Sequence, residues 1–267
     1  MNITEFFANL WNDYVRMTPQ ADAIQQAFQQ RGEQVINDHV AFRTFKHSAV
    51  ELERIEPFLF DLGYQRNEQY HFSAKKLNAW SYIHQDENQP LIFLSELLTD
   101  QLSAPTQAII RSLTEQIDPG SITDASVFYS GRHWQCPDYQ TYQSLLAESE
   151  YAAWLSVFGL RANHFTVAVH KLHSLKTLPE VNEFVESLDY ELNTTGSKIK
   201  GSPEVFLEQS STMASHQDVT FGDGSTYQIP TCFYEFARRY SLPDGSLFKG
   251  FVEANADKIF DSTNARR

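Results

Sequence analysis

Residues 38–45 read DHVAFRTF, and residues 163–170 read NHFTVAVH. Each begins with a polar residue and a histidine, then runs on as alternating β-branched and aromatic residues, the pattern of a strand. Successive strand side chains point to opposite faces, so His39, Ala41 and Arg43 share one side and Asp38, Val40 and Phe42 the other. An imidazole and a guanidinium two pleats apart on one face serve no purpose in a plain core strand. They suit a metal or an anion.

The likeness extends outward from the two strands. Ser48-Ala-Val-Glu51 and Thr177-Leu-Pro-Glu180 both fit a capping box and predict a helix after each strand. One helix would carry Leu52, Ile55, Leu59 and Leu62 on a stripe, kinked by Pro57, and the other Leu178, Val181, Val185 and Leu188. Both end alike, in LGY at 62–64 and LDY at 188–190. Tyr64 follows His39 by 25 positions and Tyr190 follows His164 by 26.

Three strand-like runs come next in each half. They are QYHFSA, AWSYIH and PLIFLSEL in the first, and PEVFLEQ, QDVTF and TYQIPTCFYEF in the second, with the turn Phe221-Gly-Asp-Gly224 before the last. The expectation is an α+β chain of one catalytic domain, residues 1–267, with a helical N-terminus. It holds a βαβββ module over 36–98, a mainly helical connector over 99–161, a second βαβββ module over 162–240, and a C-terminal helical segment over 241–267. Two such modules side by side would form a curved sheet around a pocket, the architecture of the vicinal oxygen chelate folds.

Composition narrows the partners. Asp and Glu total 34 against 21 Lys and Arg, a formal net charge of −13. Such a chain lacks the basic surface that nucleic acid or an anionic membrane requires, so an anionic ligand must be drawn by a few local cations. Cys136 and Cys232 give neither a disulfide framework nor a metal-type spacing. The start, MNITEFFANLWNDYV, lacks the basic region and unbroken apolar core of a signal peptide, and Phe7, Leu10, Trp11 and Tyr14 fall at helical spacing. No run approaches the ~20 apolar residues of a membrane span. A cytoplasmic location is expected.

In CFYEFARRY, alternation puts Phe233, Glu235 and Ala237 on one face, with a carboxylate in mid-strand; the first half has Glu96 in IFLSEL at the corresponding place. A buried carboxylate is costly unless paired or bound to a cation. If the halves close on each other, His39 and His164 occupy matched positions and Glu235 meets them. Two histidines and one carboxylate are the ligand set of non-haem Fe(II) sites. The blander readings are a hydrogen-bonded structural histidine, and a Glu235 paired with Arg238 or Arg239. Of the other histidines, His170 and His173 read as solvated loop residues, and His47 and His133 lack context. His71, His84 or His216 could replace a chosen ligand.

The set DHVAFRTF, ANHFTVAV, SSTMA, IPTCFYEFARRY and GFVEANADKIFDST resembles the 2-oxoadipate dioxygenase/decarboxylase family, or hydroxyglutarate synthases, over residues 5 to 263. The chain looks like a short form. The resemblance implies that His39, His164 and Glu235 are the metal ligands and that Arg43 binds a substrate carboxylate beside the ligand histidines. A contact from Ala254 or Asn255 is a further expectation. It also implies an Fe(II) enzyme of lysine catabolism that converts 2-oxoadipate and O2 to 2-hydroxyglutarate and CO2. Three rivals share the ligand set: a glyoxalase-like isomerase or hydrolase using Zn²⁺ or Ni²⁺, a non-catalytic metal-dependent anion-binding protein, and an interaction protein with a structural metal.

Overall fold

The computed structural model describes residues 1–263, so positions 264–267 of the expected C-terminal segment lie outside the described residues. Helices α1 (Ile3–Met17) and α2 (Pro19–Gln30) come first. Asn2 caps α1 in a box with Glu5, and Phe6, Leu10 and Tyr14 bury its inner face. The first half follows as β1 (Asn37–Phe45), α3 (Leu52–Ile55), α4 (Pro57–Asp61), β2 (Tyr64–Phe72), β3 (Leu77–His84) and β4 (Leu91–Leu97). Helices α5 (Ala104–Thr114), α6 (Tyr139–Glu148) and α7 (Glu150–Phe158) lead to the second half. That half comprises β5 (Ala162–Ala168), α8 (Leu178–Glu186), β6 (Lys200–Ser202), β7 (Leu207–Ser211), β8 (His216–Thr220), β9 (Thr226–Pro230) and β10 (Phe233–Arg239). Helix α9 (Glu253–Ile259) comes last.

Among the described residues, eight strands form one sheet in the order β2-β3-β4-β1-β5-β10-β7-β6. The order reads as two matched halves meeting at the antiparallel β1–β5 pair, and in each half the first strand runs parallel to the last. The sheet curls as a half-barrel, so the expected mixed α+β architecture is present. Phe165 and Phe236, on the face away from the histidines, pack on Trp11, Tyr14 and Phe28 of the first two helices. Helix α9 contacts β2, β6 and β7, reaching strands at both edges of the sheet.

The matched helix ends have a common cause. Gly63 and Asp189 both take left-handed backbone, at φ 93° and 64°, which stops the helix and turns the chain. Pro57 divides the first helix into α3 and α4, whereas α8 is continuous and carries the expected capping box from Thr177 and Glu180.

Three local expectations are corrected. Ser48 does not open a capping box: its hydroxyl donates to Phe45 O, and α3 starts later, with Leu52 N donating to Glu96 Oε2 at 3.3 Å. Glu96 is therefore a helix cap and not the counterpart of Glu235. Glu235 pairs with Thr166, two beyond His164, while Ala41, two beyond His39, pairs with Phe93. The third correction concerns QDVTF and TYQIP, which leave the main sheet and pair with each other as β8–β9. TYQIPTCFYEF breaks at Thr231-Cys232, and the Thr231 hydroxyl donates to Met17 O.

Candidate metal centre

The β1–β5 pairing sets His39 opposite Thr166 and Ala41 opposite His164, so the two histidines stand diagonally across neighbouring strands on one face. Glu235 joins that face from β10. One donor atom from each of His39, His164 and Glu235 lies within 4.8 Å of the others, and all three residues are buried. Glu235 Oε1 is 3.5 Å from His39 Nε2, and Oε2 is 3.3 Å from His164 Nε2.

Two bulges set this geometry. Between Asn37 and His39 the register slips so that Asp38 is extra, and between Ala41 and Phe42 it slips again, leaving Asn163 extra on β5. A bulge re-aims the side chain of its extra residue. Asp38 Oδ1 then lies 2.7 Å from His39 Nδ1, and Asn163 Oδ1 lies 3.2 Å from His164 Nδ1. These oxygens accept from each Nδ1 and so turn each Nε2 toward the centre, where the Thr166 hydroxyl also lies 3.1 Å from His39 Nε2. The expectation that Asp38 faces away from the site fails because alternation is interrupted where it sits.

Charge is arranged around this centre. The guanidinium of Arg239 meets Asp38 through Nε at 2.8 and 3.1 Å and Nη2 at 2.9 Å. Burial alone would raise the Asp38 carboxyl, but the Arg239 charge and the bonds from His39 and Arg239 hold it well below the usual carboxylate range. Arg239 thus serves Asp38, and Arg238 lies over the Tyr240 ring, so the pairing of Glu235 with either arginine is not seen. Burial raises the Glu235 carboxyl, only partly offset by His39 and by the hydrogen bond from Gln209. Burial also lowers His164 well below the ordinary histidine value, helped by the charges of His39 and Arg43. Two imidazole nitrogens beside a fully buried carboxylate whose Oε2 lacks a hydrogen-bond partner fit a divalent cation.

Arg43 is buried on the same strand face, its guanidinium 5.0 Å from the Tyr151 and Trp154 ring centroids and 3.1 Å from Thr263 Oγ1. Aromatic walls close the remainder. Phe251 meets His39 edge-on at 4.8 Å and Phe93 at 4.9 Å, and Phe233 stacks on His164 at 4.6 Å.

The other candidates are elsewhere. His71, His173 and His216 are exposed, His84 bonds Leu62 O, and half-buried His133 contacts Ser130. His170 is half-buried and accepts from Arg239 N, so it is not the solvated loop residue expected. Ala254 is exposed, whereas Asn255 is buried and reaches the centre through Gln209, not directly. Asp38, Asn163, Gln209, Arg239 and Phe251 escape a reading by alternation. A signal for the first two is present, since His39 and His164 each directly follow an acceptor side chain, in DH and NH.

A family model described as 2-oxoadipate dioxygenase/decarboxylase matches residues 3–248. A rice (Oryza sativa subsp. japonica) protein named 2-oxoadipate dioxygenase/decarboxylase, chloroplastic/amyloplastic, is 36% identical over 284 residues, 96% of this chain and 77% of that one. Among solved structures, a rice hydroxyglutarate synthase in complex with 2-oxoadipate superposes with a TM-score of 0.91 at 35% identity, covering 98% of this chain and 92% of that one. A putative hydrolase from Shewanella frigidimarina NCIMB 400 gives a TM-score of 0.89 at 46% identity, covering 94% and 98%. A putative glyoxalase superfamily protein from Ralstonia eutropha JMP134 shares the fold, with a TM-score of 0.74 at 20% identity over 91% of this chain and 83% of that one. No helix among the described residues is long and apolar enough to cross a membrane. With its model match over nearly the whole length, this chain belongs to the 2-oxoadipate dioxygenase/decarboxylase family.

Proposed function

We propose that this protein is an Fe(II)-dependent oxygenase that converts a 2-oxo diacid, 2-oxoadipate, and O2 to 2-hydroxyglutarate and CO2. The observation that carries the reading is the buried convergence of His39, His164 and Glu235 on a strand face that also presents Arg43. His39 and His164, through Nε2, and Glu235 would hold the ion. Bound there, Fe(II) would supply Lewis acidity toward the 2-oxo acid and a redox centre for O2, the net electrons coming from the oxidised and decarboxylated substrate.

The chain's own residues do the rest. Asp38 and Asn163 keep the ligand nitrogens aimed. Phe93, Phe233 and Phe251 exclude water, which protects a reactive oxidant from side reactions. Arg43 lies four residues from His39, about 13 Å along the strand at ~3.3 Å per residue. It is one pleat beyond Ala41, whose strand partner is His164. That offset suits the carboxylate at the far end of a diacid whose 2-oxo end is at the ligands. A guanidinium binds it through two parallel hydrogen bonds.

The test is O2 uptake and CO2 release by anaerobically Fe(II)-loaded protein, with 2-oxo diacids of increasing length and with 2-oxo monoacids. His39→Ala, His164→Ala or Glu235→Ala is expected to lose metal and activity together. Arg43→Ala is expected to keep its metal and lose about 2–4 kcal/mol of binding to the diacid transition state, roughly 30- to 1,000-fold in kcat/KM. Monoacids should change much less. Turnover of a 2-oxo acid without O2 consumption would point instead to an isomerase or hydrolase. Metal-dependent binding without turnover would make the protein an anion-binding one.

A further inference from the structure

We propose that Gln209, oriented by Asn255, is a positioning residue that restricts Glu235 to a single metal-binding oxygen. The inference rests on the metal reading above and concerns how the carboxylate is held. Glu235 Oε1 accepts a hydrogen bond from Gln209 Nε2 at 2.7 Å, and Gln209 Oε1 accepts one from Asn255 Nδ2 at 3.2 Å. All three side chains belong to residues no more than 4% exposed. Oε2, by contrast, has no hydrogen-bond partner and lies 3.3 Å from His164 Nε2. One oxygen is occupied by a donor and the other is left for the ion.

The direction of the chain follows from amide chemistry. A glutamine amide has one donor end and one acceptor end. With Asn255 donating to its oxygen, Gln209 must turn its NH₂ toward the carboxylate. Flipped, it would set a carbonyl oxygen against Glu235. Asn255 arrives from α9, while Gln209 sits on β7, where Ala237 and Glu235 are the strand partners of Gln209 and Ser211. The backbone makes room for this contact. Gly201, at φ +84°, lies where a Cβ would collide with Asn255 Nδ2 and with Leu207 O.

The experiment titrates metal-free protein with Co(II) against a competing chelator at pH 7.5 and records the visible Co(II) absorption, with circular dichroism to verify folding. Gln209→Leu is expected to weaken Co(II) binding 10- to 100-fold, the usual effect of removing a partner of a metal ligand. It should also lower the Co(II) molar absorptivity, because a freed Glu235 can bind through both oxygens and raise the coordination number. Asn255 supplies a sharper comparison. Asn255→Ala leaves Gln209 free to keep donating to Glu235. Asn255→Asp keeps the shape but presents an acceptor, drawing the Gln209 NH₂ away from the carboxylate. Asn255→Asp is therefore expected to lose more affinity than Asn255→Ala, by 5-fold or more, whereas simple packing gives the opposite order.

Wild-type affinity and spectrum in Gln209→Leu would overturn the proposal, as would an Asn255→Asp protein that binds as well as Asn255→Ala. If Gln209→Leu fails to fold, the Asn255 pair decides. A wild-type protein that binds no Co(II) sinks the metal reading and this inference together. Intact Co(II) effects with no O2 uptake by the Fe(II) form sink only the oxygenase reading.

Discussion

Replacing Arg239 with Met removes the cation from a pair in which both side chains are nearly inaccessible, 2% exposed for Arg239 and 3% for Asp38. The Asp38 carboxylate would lose the contacts from Nε and Nη2 and keep only His39 Nδ1 at 2.7 Å. Breaking a buried pair by deleting one partner costs about 3–5 kcal/mol, because the charge left behind is uncompensated. Arg239 Nη1 also donates to Phe248 O at 3.2 Å and Gly250 O at 2.7 Å, adding about 1 kcal/mol for each lost bond. The sum, about 5–7 kcal/mol, is a large share of the 5–15 kcal/mol that a domain typically possesses. Urea unfolding at pH 7 of the wild type, Arg239→Met, Asp38→Leu and the double variant measures it. The double variant should recover at least 2 kcal/mol relative to the sum of the singles, since it leaves no lone charge. An Arg239→Met cost below 1 kcal/mol, or an additive cycle, would refute the view that this pair is a tightly coupled unit.

Glu33 accepts from His173 N, Ser174 N and Ser174 Oγ, each at 2.6 Å, and despite burial these bonds depress its pKa from 4.5 to about 2. A depressed carboxylate stabilises the fold above its unfolded pKa and ceases to do so as pH falls through its folded pKa. Glu33→Gln should thus lose on the order of 2 kcal/mol at pH 7, discounted for solvent screening, with the gap to wild type closing between about pH 4.5 and 2. Urea midpoints at several pH values test this, and a gap constant with pH would contradict it. Asp189→Gly should gain about 0.5–1 kcal/mol in thermal unfolding, because it relieves a left-handed non-glycine residue at a helix end. His84→Ala and His216→Ala should retain wild-type metal content on elemental analysis; a loss in either would place that histidine in the ligand set.

The sequence shows some of these features more readily than others. Strand alternation in DHVAFRTF puts His39 and Arg43 on one face, because period-two patterning is local and survives folding. The matched motif NHFTVAVH marks His164 as the equivalent of His39, which the β1–β5 pairing then brings to the same face. The same rule misplaces Asp38, since a bulge is a register event between β1 and β5 and leaves no mark in β1 alone. Glu96 looks like the partner of Glu235 by its place in a strand, yet the residue pairings put Phe93 there and make Glu96 a cap for α3. The Asp38–Arg239 pair spans 201 residues, and no local pattern announces a contact at that separation. QDVTF and TYQIP alternate as strands should, but alternation does not say which sheet a strand joins.

The meeting of β1 with β5 has a further consequence. His39 belongs to one half of the sheet, and His164 and Glu235 to the other, so an ion held by all three rivets the two halves across their seam. Loading would then raise the free energy of unfolding by RT ln(1 + [M]/Kd), and the gain would appear as resistance to separating the halves. Beside the histidines the near-twofold symmetry is broken by Glu235 on one flank and Phe93 on the other. A perfectly duplicated seam would confront the ion with two carboxylates. Substituting an aromatic ring for one of them gives the seam a polar bank and an oily bank, and with them a chemical direction.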